Sequence, residues 1–342
     1  MGDNNKNQML YFWQGIACIL VLQMHVSFPG KVGEGLVFLG RFSVGLFFAI
    51  SGFFLTKSDW KVEKSVLVRK VTKLLKYFIV SFMVYLIYAI ITNTFEFSWW
   101  RLYRLFTFND TSLAVGVLWY LLASIYCYIA YAVLEKIFKE NVLKVLFVIS
   151  TISLIISYVI RIWAAVTANE QIYYDSSYMF RSWLFFGIPM FTLGLVLRKY
   201  EKYLKKITKN QAVVLLIIGF IFEIIEAYII RLDVEFYIGS IIVVIAIFML
   251  SQQKNIKKSN AFFNYIIVIG QRYSLFIYLW HKLVMYIIEA LIFTQIELDN
   301  KSVIKWTMPI IVFVITLLLA YLKDKIVHYV YIKKRNMSLT NK

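Results

Sequence analysis

The chain has 342 residues, of which 61% are hydrophobic and 16% charged, and its mean hydropathy is +0.71. Soluble globular domains are about half apolar and a quarter charged, so this composition excludes that class, and with it disordered, fibrous and small disulfide-framework proteins. The formal net charge is +18, and its meaning depends on where along the chain it falls.

Apolar runs of about 20 residues cross a bilayer as helices. Ten such runs follow one another, at 8–28, 33–55, 74–92, 113–134, 145–166, 183–197, 211–230, 235–251, 262–291 and 306–331. They predict an all-α, polytopic integral membrane protein with about ten transmembrane helices, forming a single membrane domain over 1–342 with no soluble appended domain. The first run has only Lys6 before it and no small-residue cleavage site after it, so it reads as a retained span. The sixth run is short and the ninth long, which predicts bent or re-entrant helices there. The larger outer connections, at about 93–112 and 167–182, are rich in Trp, Tyr and Phe, as chain lying at a membrane interface is.

Of the 37 Lys and Arg residues, 26 fall in connections on the side holding the N-terminus and six on the other. Five more, Arg41, Arg161, Arg181, Arg272 and Lys282, lie in or at the edges of spans. This asymmetry predicts both termini in the cytoplasm and an even number of spans. The charge therefore reads as a topology signal, with contact to anionic lipids of the bilayer as a second benefit and no nucleic-acid partner. Cys18 and Cys127 sit inside apolar runs and read as small hydrophobes. No metal-ligand spacing, nucleotide loop or serine-elbow motif is visible.

Ionisable groups inside spans are costly and face a cavity or a partner. His25 lies near the outer end of the first span and His281 in the outer part of the ninth, whereas His328 sits at the cytoplasmic end of the last, among lysines. Each of the first two suits either an interior hydrogen bond or proton transfer near neutral pH. Gln14 and His25 are eleven residues apart, which is three turns plus about 20°, so they share a helix face roughly 16 Å apart along the axis. Ser274, Tyr278, His281 and Met285 share another face, at spacings of four, seven and eleven. Arg41, in the outer part of the second span, suits an anion, a sugar hydroxyl or a carboxylate. Arg69, Lys70, Lys73 and Lys76 open the third span, as a topology signal or a phosphate contact. Glu223 and Glu226, one turn apart, read as a structural pair for Arg161, Arg181 or Arg231.

These residues carry a resemblance. Phe12-Trp13-Gln14-Gly15-Ile16-Ala17 followed by His25 resembles the start of the acyltransferase family 3 membrane proteins, bacterial O-acyltransferases that modify cell-surface polysaccharides. Phe47-Phe48-x-x-Ser51-Gly52-Phe53 resembles that family's second-helix motif, Arg69-Lys70 its paired basic motif, and Leu118-Trp119-Tyr120 a short motif at the fourth span. Arg181 with Phe185-Phe186-Gly187-Ile188-Pro189-Met190-Phe191-x-x-Gly194 is similar to the sixth-span pattern, and Tyr273-Ser274-x-x-x-Tyr278-Leu279-x-His281 to a late-helix histidine motif. The likeness runs in order from about residue 10 to 290, with one departure: the family has Arg or Lys eleven residues before the histidine, and this chain has Gln14.

The resemblance implies an acyl-CoA donor on the cytoplasmic side, acetyl-CoA by family habit, and a carbohydrate hydroxyl as acceptor. Neither a bound cofactor nor a metal is expected. His25 is the expected base, and Arg69, Lys70 and Lys73 are the expected CoA contacts, with the role of the Gln14 position in doubt. Arg41, Tyr278 and His281 are candidate oxyanion donors. Ser51, Trp119 and Arg181 are motif positions for substrate or structure. A bacterial plasma-membrane location, and contact with glycan-assembly machinery, would follow. The alternative class is a translocator or uptake protein whose pathway His25, Arg41 and the two glutamates would line.

Overall fold

The computed structural model describes residues 8–56, 62–167, 171, 177–230, 237–253, 260–293 and 301–340, excepting the side chains of 292, 293, 301 and 333–340. No strand occurs among these residues. Six helical segments are long and apolar enough to cross a membrane: Gly30–Phe53, Lys64–Ile91, Gly116–Val166, Lys209–Ile230, Ala261–Leu291 and Ser302–Ile332. The protein is thus an all-helical membrane protein. The third of these segments holds both α6 (Trp119–Phe138) and α7 (Val142–Val166), joined through a 3₁₀ turn at Lys139–Asn141. The sequence predicts two spans there. Outside the six lie, among others, α1 (Gln8–His25), α8 (Ile188–Lys199) and a shorter apolar helix, α10 (Ile238–Ser251).

Two features match the bends expected from run length. The sixth run opens with a π-helical turn at Trp183–Gly187 before α8, with Pro189 near its start. The ninth run divides into α11 (Ala261–Val268), a π-helical turn at Ile269–Tyr273 and α12 (Ser274–Phe293). A π turn adds a residue to the helical ladder and so re-aims the side chains that follow it. The aromatic connection at 93–112 contains an amphipathic helix, α5 (Trp99–Phe108), whose Trp99, Trp100 and Phe106 are exposed. An amphipathic, aromatic-rich helix of this kind suits the membrane surface.

The chain divides into two compact units. One comprises Arg41–Lys258 with the residues up to Leu10; the other comprises Tyr11–Gly40 and Ser259–Lys342. In the first, α3 (Phe42–Phe53) packs on α8, α4 (Lys64–Ile91) on α6, and α9 (Lys209–Ile230) on α10. The α3–α8 crossing rests on two glycines. A Cβ on Gly52 would collide with the carbonyl of Phe191, and one on Gly194 with that of Ala49. Small residues let membrane helices approach to backbone contact, where dispersion forces hold them. In the second unit, α1 lies against α11 and its π turn: Phe12 stacks on Phe263 with ring centres 4.4 Å apart. Here too a glycine is required, since a Cβ on Gly270 would run into the Tyr11 carbonyl. The unit is completed by α2 (Gly30–Leu39) and α13 (Lys301–Thr340).

Gly194→Val is therefore expected to destabilise the first unit by about 1–3 kcal/mol, as overpacking against rigid backbone does. A lowered melting temperature of the detergent-purified protein, with Gly35→Ala unchanged because nothing lies within 4 Å of that position, checks it.

Candidate active site

In the second unit, α1 and α12 join through their polar faces. Gln14 Nε2 donates to Ser274 Oγ at 3.3 Å, and Ser274 Oγ donates onward to the Gly270 carbonyl at 2.8 Å. One turn further along α1, the Cys18 thiol lies 3.7 Å from the Ser274 carbonyl. At the far end of the same face, the rings of His25 and His281 stand 5.2 Å apart, tilted by 31°. The two faces read from helical spacing thus meet along their length, and the two histidines meet each other.

The imidazoles differ in surroundings. His25 is half-buried and His281 is fully buried. His281 Nδ1 lies 2.9 Å from the carbonyls of both Ile277 and Tyr278. Carbonyl oxygens only accept, so Nδ1 carries the proton and Nε2 carries the lone pair in the neutral ring. That Nε2 is buried and has no hydrogen-bond partner among the described residues. In this tautomer His281 is an acceptor, and it cannot donate to an oxyanion. Tyr278, on the same face and half-buried, retains a hydroxyl able to donate.

In the first unit, three segments singled out from sequence converge. The Tyr120 hydroxyl lies beside the side chains of Ser51 and Ser124. Ser51 Oγ donates to the Phe47 carbonyl at 2.9 Å, and Tyr128 Oη approaches the Ser51 carbonyl at 3.5 Å. Phe48 packs edge-on against Tyr120 and Phe186, and Trp119 against Phe186. Lys70 reaches this group from α4, its ammonium 5.4 Å from the centre of the Tyr128 ring, a cation–π distance. The basic row divides by face: Lys70 is half-buried against α6, while Arg69, Lys73 and Lys76 are exposed. Consecutive helical positions are 100° apart, which separates neighbours that look alike in sequence.

Arg41 and the acidic pair belong to another cluster of the first unit. Glu226 accepts from the backbone N–H groups of Ile238 (3.0 Å) and Gly239 (2.8 Å), and Glu223 from Ser240 Oγ (2.5 Å). Glu226 of α9 therefore caps the first turn of α10, satisfying donors that a helix start leaves open and complementing its dipole, while Glu223 binds a hydroxyl of the same turn. Arg41 acts electrostatically on Glu223, and Arg41 and Arg161 both act on Tyr237. Arg161 is fully buried, with its guanidinium 5.6 Å from the Phe180 ring centre. Of the partners read from sequence, Arg161 joins this cluster, Arg231 lies outside the described residues, and Arg181 has an exposed side chain.

Sequence reading missed two residues. Asn109, left-handed at φ 52° and ending α5, donates to the carbonyls of Trp119 (3.2 Å) and Arg181 (3.4 Å) and accepts from Trp183 N–H (2.6 Å). It ties the motif positions Trp119 and Arg181 together through their backbones. Its signal was an Asn directly after an amphipathic segment, where helices end. Tyr128 was legible only as lying two turns from Tyr120 on one face.

An all-helical membrane chain with paired intramembrane imidazoles and a half-buried cation beside tyrosyl hydroxyls defines a membrane-embedded enzyme or carrier, and comparison with known families decides between the two. The chain matches the family model of the acyltransferase domain of family 3 over residues 10–324, and it belongs to that family. It is a membrane acyltransferase. No curated protein and no solved structure matches it.

Glu226→Ala leaves the Ile238 and Gly239 N–H groups buried without an acceptor. A loss of about 1.5–3 kcal/mol is expected, the range for hydrogen bonds to a charged group, read as a lowered melting temperature with the helical circular dichroism signal retained.

Proposed function

We propose that the protein moves an acyl group, acetyl in the first instance, from cytoplasmic acyl-CoA to a hydroxyl of a cell-surface or secreted carbohydrate at a bacterial plasma membrane. The observation that carries this reading is the His25–His281 pair, held on the facing polar stripes of α1 and α12 in a chain of this family. His25 is the general base. It takes the proton of the acceptor hydroxyl as the oxygen attacks the thioester carbon, the C–O bond forms and the C–S bond breaks. The same proton then passes to the departing CoA thiolate, so none is gained or lost overall. A base of this kind contributes about 10²–10⁴-fold.

His281 supports the proton side of the reaction. Its Nδ1–H is held by two carbonyls, so its Nε2 lone pair can face the positive charge that forms on His25, as the carboxylate does in a Ser-His-Asp triad. The oxyanion donor is then Tyr278 in preference to His281. Arg41 falls to the structural cluster with Glu223, and Gln14, bound to Ser274, to alignment of α1 on α12. A translocator reading would use Arg41 and the two glutamates, yet both carboxylates are engaged at the start of α10, Glu226 by two backbone N–H groups and Glu223 by the Ser240 hydroxyl, which favours the enzyme. On the donor side Lys70 is the CoA contact. It is half-buried, and no described carboxylate pairs with it. A lysine in that setting attracts a phosphate as a point charge.

The deciding experiment is transfer of radiolabelled acetyl from acetyl-CoA to glycan by membranes holding matched amounts of protein. His25→Ala is expected to remove transfer by about 10²–10⁴-fold while acetyl-CoA binding persists; full activity in that variant would overturn the assignment. His281→Leu is expected to lower kcat with KM for acetyl-CoA unchanged. His281→Gln, which keeps an acceptor, is expected to recover part of the loss.

A further inference from the structure

The third span carries a surface that the acyl-transfer reading does not use. Lys64, Arg69, Lys73 and Lys76, with the hydroxyls of Ser65 and Thr72, line an open groove of about 950 Å³ along the start of α4. Among the described residues no carboxylate lines it and none of the four cations is in an ion pair. Like charges along one stretch of helix repel one another, and a bound anion relieves that.

The groove continues into an exposed apolar face of the same helix. Arg69, Lys73 and Lys76 recur at steps of four and three residues, and the same steps continue through Val80, Met83, Ile87 and Ile90. Those four are 57%, 53%, 56% and 53% exposed. One helix face thus changes from cationic to apolar at a single boundary. From Lys76 to Ile87 it runs about 16 Å at the helical rise, close to the depth of one leaflet of a hydrocarbon core of about 30 Å. Lys70 takes no part, since its ammonium is turned to the Tyr128 ring on α6.

We infer that this face of α4 is a binding site for one anionic phospholipid, its phosphate headgroup held among Lys64, Arg69, Lys73 and Lys76 and an acyl chain lying along Val80, Met83 and Ile87. The phosphate chemistry alone would suit a soluble phosphate equally well. The apolar continuation selects the lipid, because a soluble anion has nothing to place there. The lining of the described residues is cationic without an acid, which selects an anionic headgroup over a zwitterionic one, whose ammonium would meet like charge. The two cations adjacent in sequence, Arg69 and Lys70, then serve different ligands: one the bilayer, the other the donor.

Native mass spectrometry of the purified full chain, titrated with phosphatidylglycerol and with phosphatidylcholine, tests this. The wild type is expected to retain one phosphatidylglycerol with at least about tenfold preference. The triple variant Arg69→Gln/Lys73→Gln/Lys76→Gln is expected to lose that preference. Thr72→Glu, which places one carboxylate on the same face, is expected to weaken it, whereas Lys70→Gln is expected to keep it. These positions are exposed or half-buried, and an unchanged melting temperature shows that the variants fold. Equal binding of the two lipids, or an undiminished preference in the triple variant, overturns the site. Displacement of phosphatidylglycerol by acetyl-CoA or inorganic phosphate overturns it differently, by assigning the groove to a soluble phosphate. None of these readouts depends on acyl transfer, so the inference and the proposed reaction stand or fall separately.

Discussion

A polar group buried in the hydrocarbon of a membrane has no water to turn to, so a partner within the chain stabilises it. The start of α10 shows the consequence most directly. Its first-turn N–H groups are met by Glu226, and its Ser240 hydroxyl by Glu223. Glu223 in turn lies in the field of Arg41, and Arg41 and Arg161 both act on Tyr237 beside it, so the start of α10 is linked to charges from outside its own helix.

The same rule shapes the candidate active site. In α12 the Nδ1–H of His281 is met by two carbonyls of its own helix, which settles the tautomer, and Ser274 is tied to Gly270 in the same way. His281 Nε2, by contrast, is buried with no partner among the described residues. Leaving such a nitrogen unmet costs stability, and a lone pair kept ready beside a second imidazole is what proton chemistry requires. The π turn at Ile269–Tyr273 precedes this face and sets its direction. Gly270 lets α1 come close enough for Gln14 to reach Ser274. Backbone approach, helix register and side-chain chemistry therefore depend on one another over a few residues.

In α4 the membrane acts as a second solvent instead of a constraint on pairing. Residues one helical step apart meet different media: Lys70 the aromatic hydroxyl layer of α6, and Arg69 the exposed face. A paired basic motif is a single feature in sequence and two features in space.

Much of this was legible in the residues alone. Apolar runs far exceeding what a soluble chain carries fix a helical membrane protein, since only hydrogen-bonded helices or closed barrels satisfy the backbone in lipid. The eleven-residue spacing of Gln14 and His25, and the four-and-seven spacing of Ser274, Tyr278 and His281, fixed which side chains share a face, because helical rotation is local. The motif order pointed to the family. What spacing cannot carry is the meeting of one helix with another. That His25 stands beside His281, that Ser51 meets Tyr120, that Lys70 lies over Tyr128, and that Arg41 acts on Glu223 are contacts between residues far apart in the chain. The His281 tautomer needed the positions of two carbonyls, and the roles of Asn109 and Tyr128 needed the segments they join. Local periodicity determined the helices, their faces and the residue types available for chemistry. Close backbone packing at a few glycines, and the need of each buried polar group for a partner, decided which faces meet.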